Sequence, residues 1–281
     1  MKEEVRRFLI ENSEEKYKEF SKALIPGEEA MLGVRLPVLR KKAKELAKGN
    51  WKEELKTEDI YFEEIMLRGM MLSYVKEDLS TMLPYIEAYI PCVKNWSVCD
   101  SVFGKMEVLR EDGEKTWEFI QPYLYSDKEF EIRTGIIIMM NHLLKCDERG
   151  KNIKRLKSIS LKDCMPDEED LINEDGGEER KNEAGRTAAV EKGEKQGKYL
   201  LCILEALNRE FPAYYASMAA AWTLAEAFCC YPAVVYGFLK DNRLDDATYN
   251  RALQKIVESL IPLPEVKAEM RRMKRKNEKK Q

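Results

Sequence analysis

The sequence predicts an all-α fold, arranged as an α-solenoid of paired helices. Three observations carry this. Apolar residues recur at helical spacing, and Leu, Met, Ala and Ile dominate them, with no long run of alternating β-branched residues. Segments of roughly 10–18 residues are joined by short breaks, as in helical repeats. The composition is 44% hydrophobic and 35% charged, with only 10 Pro and 14 Gly in 281 residues, which is a helix-rich balance.

The elements follow in order. Residues 3–24 are amphipathic and read as one helix, ended by Pro26-Gly27. The turn Gly33-Val34-Arg35-Leu36-Pro37 leads into a basic helix over 38–48. Further helices are expected over 58–75, 80–90, 96–109, 114–123 and 129–144, then over 199–209, 214–230, 233–239 and 245–259. Pro84, Pro91, Pro122, Pro212 and Pro232 mark breaks, each read as lying near a helix start or just past an end. Such pairs match HEAT-like repeats, with a compact helical bundle as the alternative.

Residues 1–164 and 199–264 are read as two parts of one repeat domain. Between them, 165–198 is charged and nearly free of large apolar residues, so it reads as a flexible insertion. Its eleven acidic and six basic residues give it a net charge of −5, against −3 for the whole chain, which leaves +2 for the remainder. Residues 265–281 form a basic tail, with Lys267, Arg271, Arg272, Lys274, Arg275, Lys276, Lys279 and Lys280. It reads as a helix fraying into solvent or as a phosphate-binding tail.

Several function classes are disfavoured. No apolar run reaches the roughly 18 residues of a membrane span. The charged start, Met1-Lys2-Glu3-Glu4-Val5-Arg6-Arg7, has no signal-peptide core, so a cytoplasmic location is expected. Cys92, Cys99, Cys146, Cys164, Cys202, Cys229 and Cys230 show no CxxC spacing and are odd in number, so they read as reduced, mostly core residues. His142 is the single histidine and reads as packed. With one histidine, neither a zinc site nor His-based catalysis is expected.

The candidate site begins at Trp96 and Asp100, at i and i+4 in Asn95-Trp96-Ser97-Val98-Cys99-Asp100. On a helix they share one face, one turn apart. A carboxylate on an apolar face must be paired or used. Arg133 enters a very apolar helix and needs a partner or a groove. Trp222 follows the small-residue run Ala219-Ala220-Ala221. Arg133 lies 33 residues beyond Asp100, and Trp222 lies 89 beyond Arg133, or roughly 55 without the insertion. With repeats of roughly 40 residues, these positions are expected on one concave face. Two indoles, a carboxylate and a guanidinium suit a cationic planar substrate. Arg35, Arg40, Lys41 and Lys94 are the expected contacts to nucleic-acid phosphate.

These residues, in this order and spacing, resemble the AlkD-type DNA alkylation repair glycosylases, which are built of HEAT-like repeats. The resemblance rests on Gly33-Val34-Arg35-Leu36-Pro37 with Arg40, Trp96-x-x-x-Asp100, Arg133 and Trp222 in Ala-Trp-Thr-Leu. It implies hydrolysis of the N-glycosidic bond of positively charged N3- and N7-alkylated purines in duplex DNA, without flipping the base into a pocket. It implies that Asp100 stabilises the oxocarbenium-like sugar and positions water, that Trp96 and Trp222 pack on the deoxyribose, and that Arg133 contacts the backbone and holds Asp100. It also implies no cofactor and a monomer acting on double-stranded DNA. Ala225 and Ser97 depart from the pattern, standing where relatives carry an arginine and often a second acid. The alternatives are a non-catalytic protein that binds branched or distorted DNA, and a helical scaffold for another protein.

Overall fold

The computed structural model describes residues 3–25, 27, 30–56, 58–145, 153–165 and 197–276. Among these the chain is all-α, with 15 α-helices and no strand, consistent with an α-solenoid of helical repeats. Nearly all of the expected insertion over 165–198, Cys146, Pro26 and the last residues of the basic tail lie outside the described residues. No described helix is long and apolar enough to cross a membrane. Two compact units divide the chain, residues 1–138 and 139–281.

The first unit opens with α1 (Glu3–Glu11) and α2 (Glu15–Leu24). A single helix was expected here. Instead Asn12 Nδ2 donates to the Phe8 carbonyl and Ser13 Oγ to the Ile10 carbonyl, which satisfies the end of α1 and breaks the run. Next come α3 (Leu36–Leu46), the short α4 (Trp51–Glu54), α5 (Phe62–Leu72) and α6 (Leu79–Tyr89). They are followed by α7 (Trp96–Phe103), α8 (Gly113–Leu124) and α9 (Glu129–Ile138). Within this unit α3 packs on α5, α5 on α7 and α7 on α9, while α6 covers α5 and α8 covers α9. Asp78, Asn95 and Asp112 cap α6, α7 and α8 by accepting from the backbone N–H three residues on.

Three boundaries differ from expectation. The helix expected over 96–109 ends at Phe103, before Gly104, and a 3-10 turn, Glu107–Arg110, follows. The helix expected over 129–144 is α-helical to Ile138 and widens to a π-helix over Met139–Leu144. Pro84 and Pro122 lie inside α6 and α8 rather than at their edges. Each forgoes one intrahelical hydrogen bond, and packing of the surrounding helix holds it in place.

The second unit follows the π-helical turn with α10 (Leu161–Cys164), α11 (Leu200–Leu207), α12 (Tyr214–Cys230), α13 (Pro232–Lys240), α14 (Asp246–Glu258) and α15 (Pro264–Arg272). Here α12 packs most closely on α14, and α14 on α15. The small residues Ala216, Ala219, Ala220 and Ala221 are buried and permit that close approach. The basic C-terminal stretch is helical as far as Arg272, with Val266 and Met270 buried, and Arg275 beyond it donates to the Leu244 carbonyl at 2.6 Å and lies over the Tyr249 ring.

An extended segment over 153–160 is stitched across this unit by its backbone. The Ile153 N–H donates to the Lys145 carbonyl at 2.8 Å and the Leu156 N–H to the Cys229 carbonyl at 3.0 Å. The Ile159 N–H donates to the Ile261 carbonyl at 3.1 Å.

Candidate active site

Asn95 starts the construction. Its side chain accepts from the Val98 N–H at 3.0 Å, which fixes the first turn of α7 and sends Trp96 and Asp100 to one face. The Trp96 indole is half-buried, and its Nε1–H donates to the Leu24 carbonyl, at the C-terminal end of α2, at 3.2 Å. One orphan helix carbonyl thereby orients the ring.

Asp100 meets Arg133 from α9 in a bidentate pair. Arg133 Nε donates to Oδ1 at 3.0 Å and Nη2 to Oδ2 at 2.7 Å. The guanidinium is almost wholly enclosed, at 7% exposure, whereas 24% of the Asp100 side chain remains open. Burial pushes the Asp100 carboxyl above its ordinary value, and Arg133 only partly pulls it back. The result is a fixed, poorly solvated carboxylate with one edge toward solvent. Cys99 is not a competing nucleophile. It is buried at 3.5 Å from Thr134 Oγ1, and burial pushes its thiol up to about 12.

Lys94 is exposed on the loop before α7, and its charge helps hold Glu131 of α9 below the ordinary glutamate value, behind the larger effects of Ser126 and Lys128. Lys94, Trp96, Asp100 and Arg133 thus share the α7–α9 region of the first unit. Arg40 and Lys41 lie on α3, with Lys41 exposed and Arg40 partly so. Arg35 is engaged in a bidentate pair with Glu14, at 2.8 and 2.9 Å, and lies over the Tyr17 ring.

The amides of the Gly33 turn are already occupied within the fold. The N–H groups of Leu32, Gly33 and Val34 all donate to the buried carboxylate of Glu63, at 2.9, 2.6 and 3.2 Å. The anion held by this turn is internal. Gly33 adopts φ +90°, and a Cβ there would stand 2.6 Å from the Glu14 carbonyl oxygen.

Trp222 belongs to the second unit. Its Nε1–H donates at 3.1 Å to Oε1 of Glu226, one turn further along α12. Lys145 Nζ pairs with Glu226 Oε2 at 3.1 Å, and Arg155 Nη2 pairs with both Glu226 oxygens. These partners hold Glu226 below its ordinary value although burial pushes it up. The sequence reading passed over Glu226, Lys145 and Arg155. One signal was available: Glu226 is the sole charged residue of α12, at the same i+4 spacing from a tryptophan as Asp100.

His142 is buried. Of the six described cysteines, all free, Cys99, Cys164 and Cys229 are buried and Cys202 is exposed. Among the described residues no group of three His, Cys, Asp or Glu side chains is placed to hold a metal ion.

No curated protein and no solved structure matches the chain. The family of DNA alkylation repair enzymes matches residues 5–177, which include Trp96, Asp100 and Arg133 but not Trp222. With that match over more than half its length, and with its all-helical architecture, this chain belongs to the DNA alkylation repair enzyme family.

Proposed function

We propose that the protein is a monofunctional DNA glycosylase, releasing positively charged N3- and N7-alkylated purines from duplex DNA without drawing the base into a pocket. The observation that carries this is Asp100, fixed by Arg133 in a bidentate pair one helical turn from a half-buried Trp96. Family membership supports DNA as the substrate and repair as the role.

An alkylated purine already bears positive charge, so its bond to the sugar is weakened and needs no acid on the base. As the C1′–N bond breaks, the purine nitrogen keeps the electron pair and the base leaves neutral, while positive charge develops on the sugar. Asp100 stabilises that charge. A water oxygen then bonds to C1′ and loses its proton toward the Asp100 carboxylate, yielding an abasic site. The Trp96 face packs on the deoxyribose, and Trp222 is assigned the same role. Arg133 keeps Asp100 ionised and aimed. Arg40, Lys41 and Lys94 take phosphates, joined by Arg35 when DNA displaces Glu14. The protein acts as a cytoplasmic monomer, with neither metal nor cofactor taking part.

Both tryptophans are half-buried rather than sealed in the core, which counts against a scaffold that uses them only for packing. The test is incubation with methylated duplex DNA and analysis of the products. Free 7-methylguanine and 3-methyladenine, with the strand left unbroken at an abasic site, is the expected result. A folded protein that prefers four-way junctions and releases no base would instead be a DNA-structure binder, and one that binds no DNA would be a scaffold.

A further inference from the structure

The second unit contains a tryptophan, an acid and a guanidinium that mimic the first, yet their bonding is different. Asp100 has one partner side chain and an open edge. Glu226 has three partners, Trp222, Lys145 and Arg155, and is only 10% exposed. Its oxygens are consumed, and its pKa runs opposite to that of Asp100. Glu226 therefore has no free edge for a sugar cation or a water.

What the cluster does leave open is positive charge. Two cations share one carboxylate, so a net charge of about +1 remains. Arg155 turns only Nη2 toward Glu226, which leaves its Nε and Nη1 donors for another acceptor, and its side chain is 48% exposed. Lys145 lies 6.0 Å from the Trp222 ring centroid and is 26% exposed. The α12 helix has no basic residue, and Ala225 is buried, so a phosphate beside Trp222 must be met by groups from outside that helix. The extended segment over 153–160 supplies one, and its backbone bonds to Lys145 and Cys229 hold Arg155 in place.

We infer that Lys145 and Arg155, held beside Trp222 by Glu226, form a seat for a DNA backbone phosphate in the second unit. Glu226 is a positioning residue, and Arg155 and Lys145 touch the ligand. This rests on duplex DNA being the substrate. Displacement of counterions by each cation that contacts a phosphate makes the inference measurable, because each contact adds close to one unit to the slope of log affinity against log salt.

The experiment measures binding of the full chain to an undamaged fluorescent duplex across salt, for wild type, Arg155→Ala, Arg155→Lys, Lys145→Ala and Glu226→Gln, with melting curves to show that each folds. The slope is expected to shrink by about one unit in Arg155→Ala and in Lys145→Ala, with roughly tenfold weaker binding at low salt. Arg155→Lys is expected to restore it. Glu226→Gln, which removes the internal anion and keeps both cations, is expected not to reduce the slope. An ion pair that served only folding would lower the melting temperature and leave the slope unchanged in both alanine variants, and that outcome overturns the inference. A wild type that binds duplex but releases no base would defeat the glycosylase reading and leave this seat standing. A wild type that binds no duplex at any salt would defeat both.

Discussion

Asp100 and Arg133 are joined by one pair of hydrogen bonds, and their variants separate its structural role from the catalytic role proposed for it. Asp100→Ala strands a guanidinium that is 7% exposed. Loss of one partner of an enclosed ion pair is expected to cost about 3 kcal/mol, read as a lowered urea midpoint. Asp100→Asn keeps the shape and one acceptor, so its loss of stability is expected to be smaller. The carboxyl must be ionised to stabilise a sugar cation, and its pKa is raised by burial. Base release is therefore expected to fall as pH drops through a value above the ordinary 3.8 of an aspartate, and that acid limb is absent from any residual rate of Asp100→Asn. Glu226 titrates in the opposite sense. Its lowered pKa contributes stability present above the ordinary glutamate value of 4.5 and lost as pH falls through the lower folded value. Acid unfolding of Glu226→Gln is expected to lack that component.

At the scale of elements, the turn over Leu32–Val34 depends on a carboxylate from a different helix. Glu63→Ala leaves three N–H groups without their acceptor and is expected to destabilise the protein by about 2 kcal/mol or more, measured by thermal or denaturant unfolding. Gly33→Ala is expected to be costly for another reason, since φ +90° and the Glu14 carbonyl both exclude a Cβ. This turn also shows where sequence reasoning stops. A glycine before a proline-started helix announces a turn, but not that Glu63, thirty residues on, fills it. Local chemistry was readable: α12 spans Tyr214–Cys230 as expected, because flanking prolines delimit it. The break between α1 and α2 was hidden because amphipathic periodicity runs through Asn12-Ser13-Glu14, and only side-chain bonds to carbonyls end the first helix. The Trp96–Asp100 pair was visible as a spacing, and Arg133 as a charge needing a partner. The Trp222–Glu226 spacing was equally visible, but the Arg155 partner was not, because it lies 71 residues away in sequence and helical periodicity says nothing about partners at that range.

The whole molecule has a net charge of −3, an unpromising figure for the DNA binding proposed above, but the residues outside 165–198 carry +2. Duplex binding is accordingly expected to weaken steeply with salt, by about tenfold or more between 50 and 200 mM if a few phosphates are neutralised. Binding insensitive to salt would argue against a phosphate-reading surface. Family membership supports a role in DNA alkylation repair, and the reaction proposed within it, hydrolysis of an already weakened bond, rests on the Asp100 geometry. The most direct test is single-turnover release of 7-methylguanine from a methylated duplex at saturating protein, wild type against Asp100→Asn. Release by wild type with a loss of about 100-fold or more in the variant, DNA binding being retained, is the expected result. Equal rates from the two proteins would contradict the assignment of Asp100 as the carboxylate that stabilises the sugar cation.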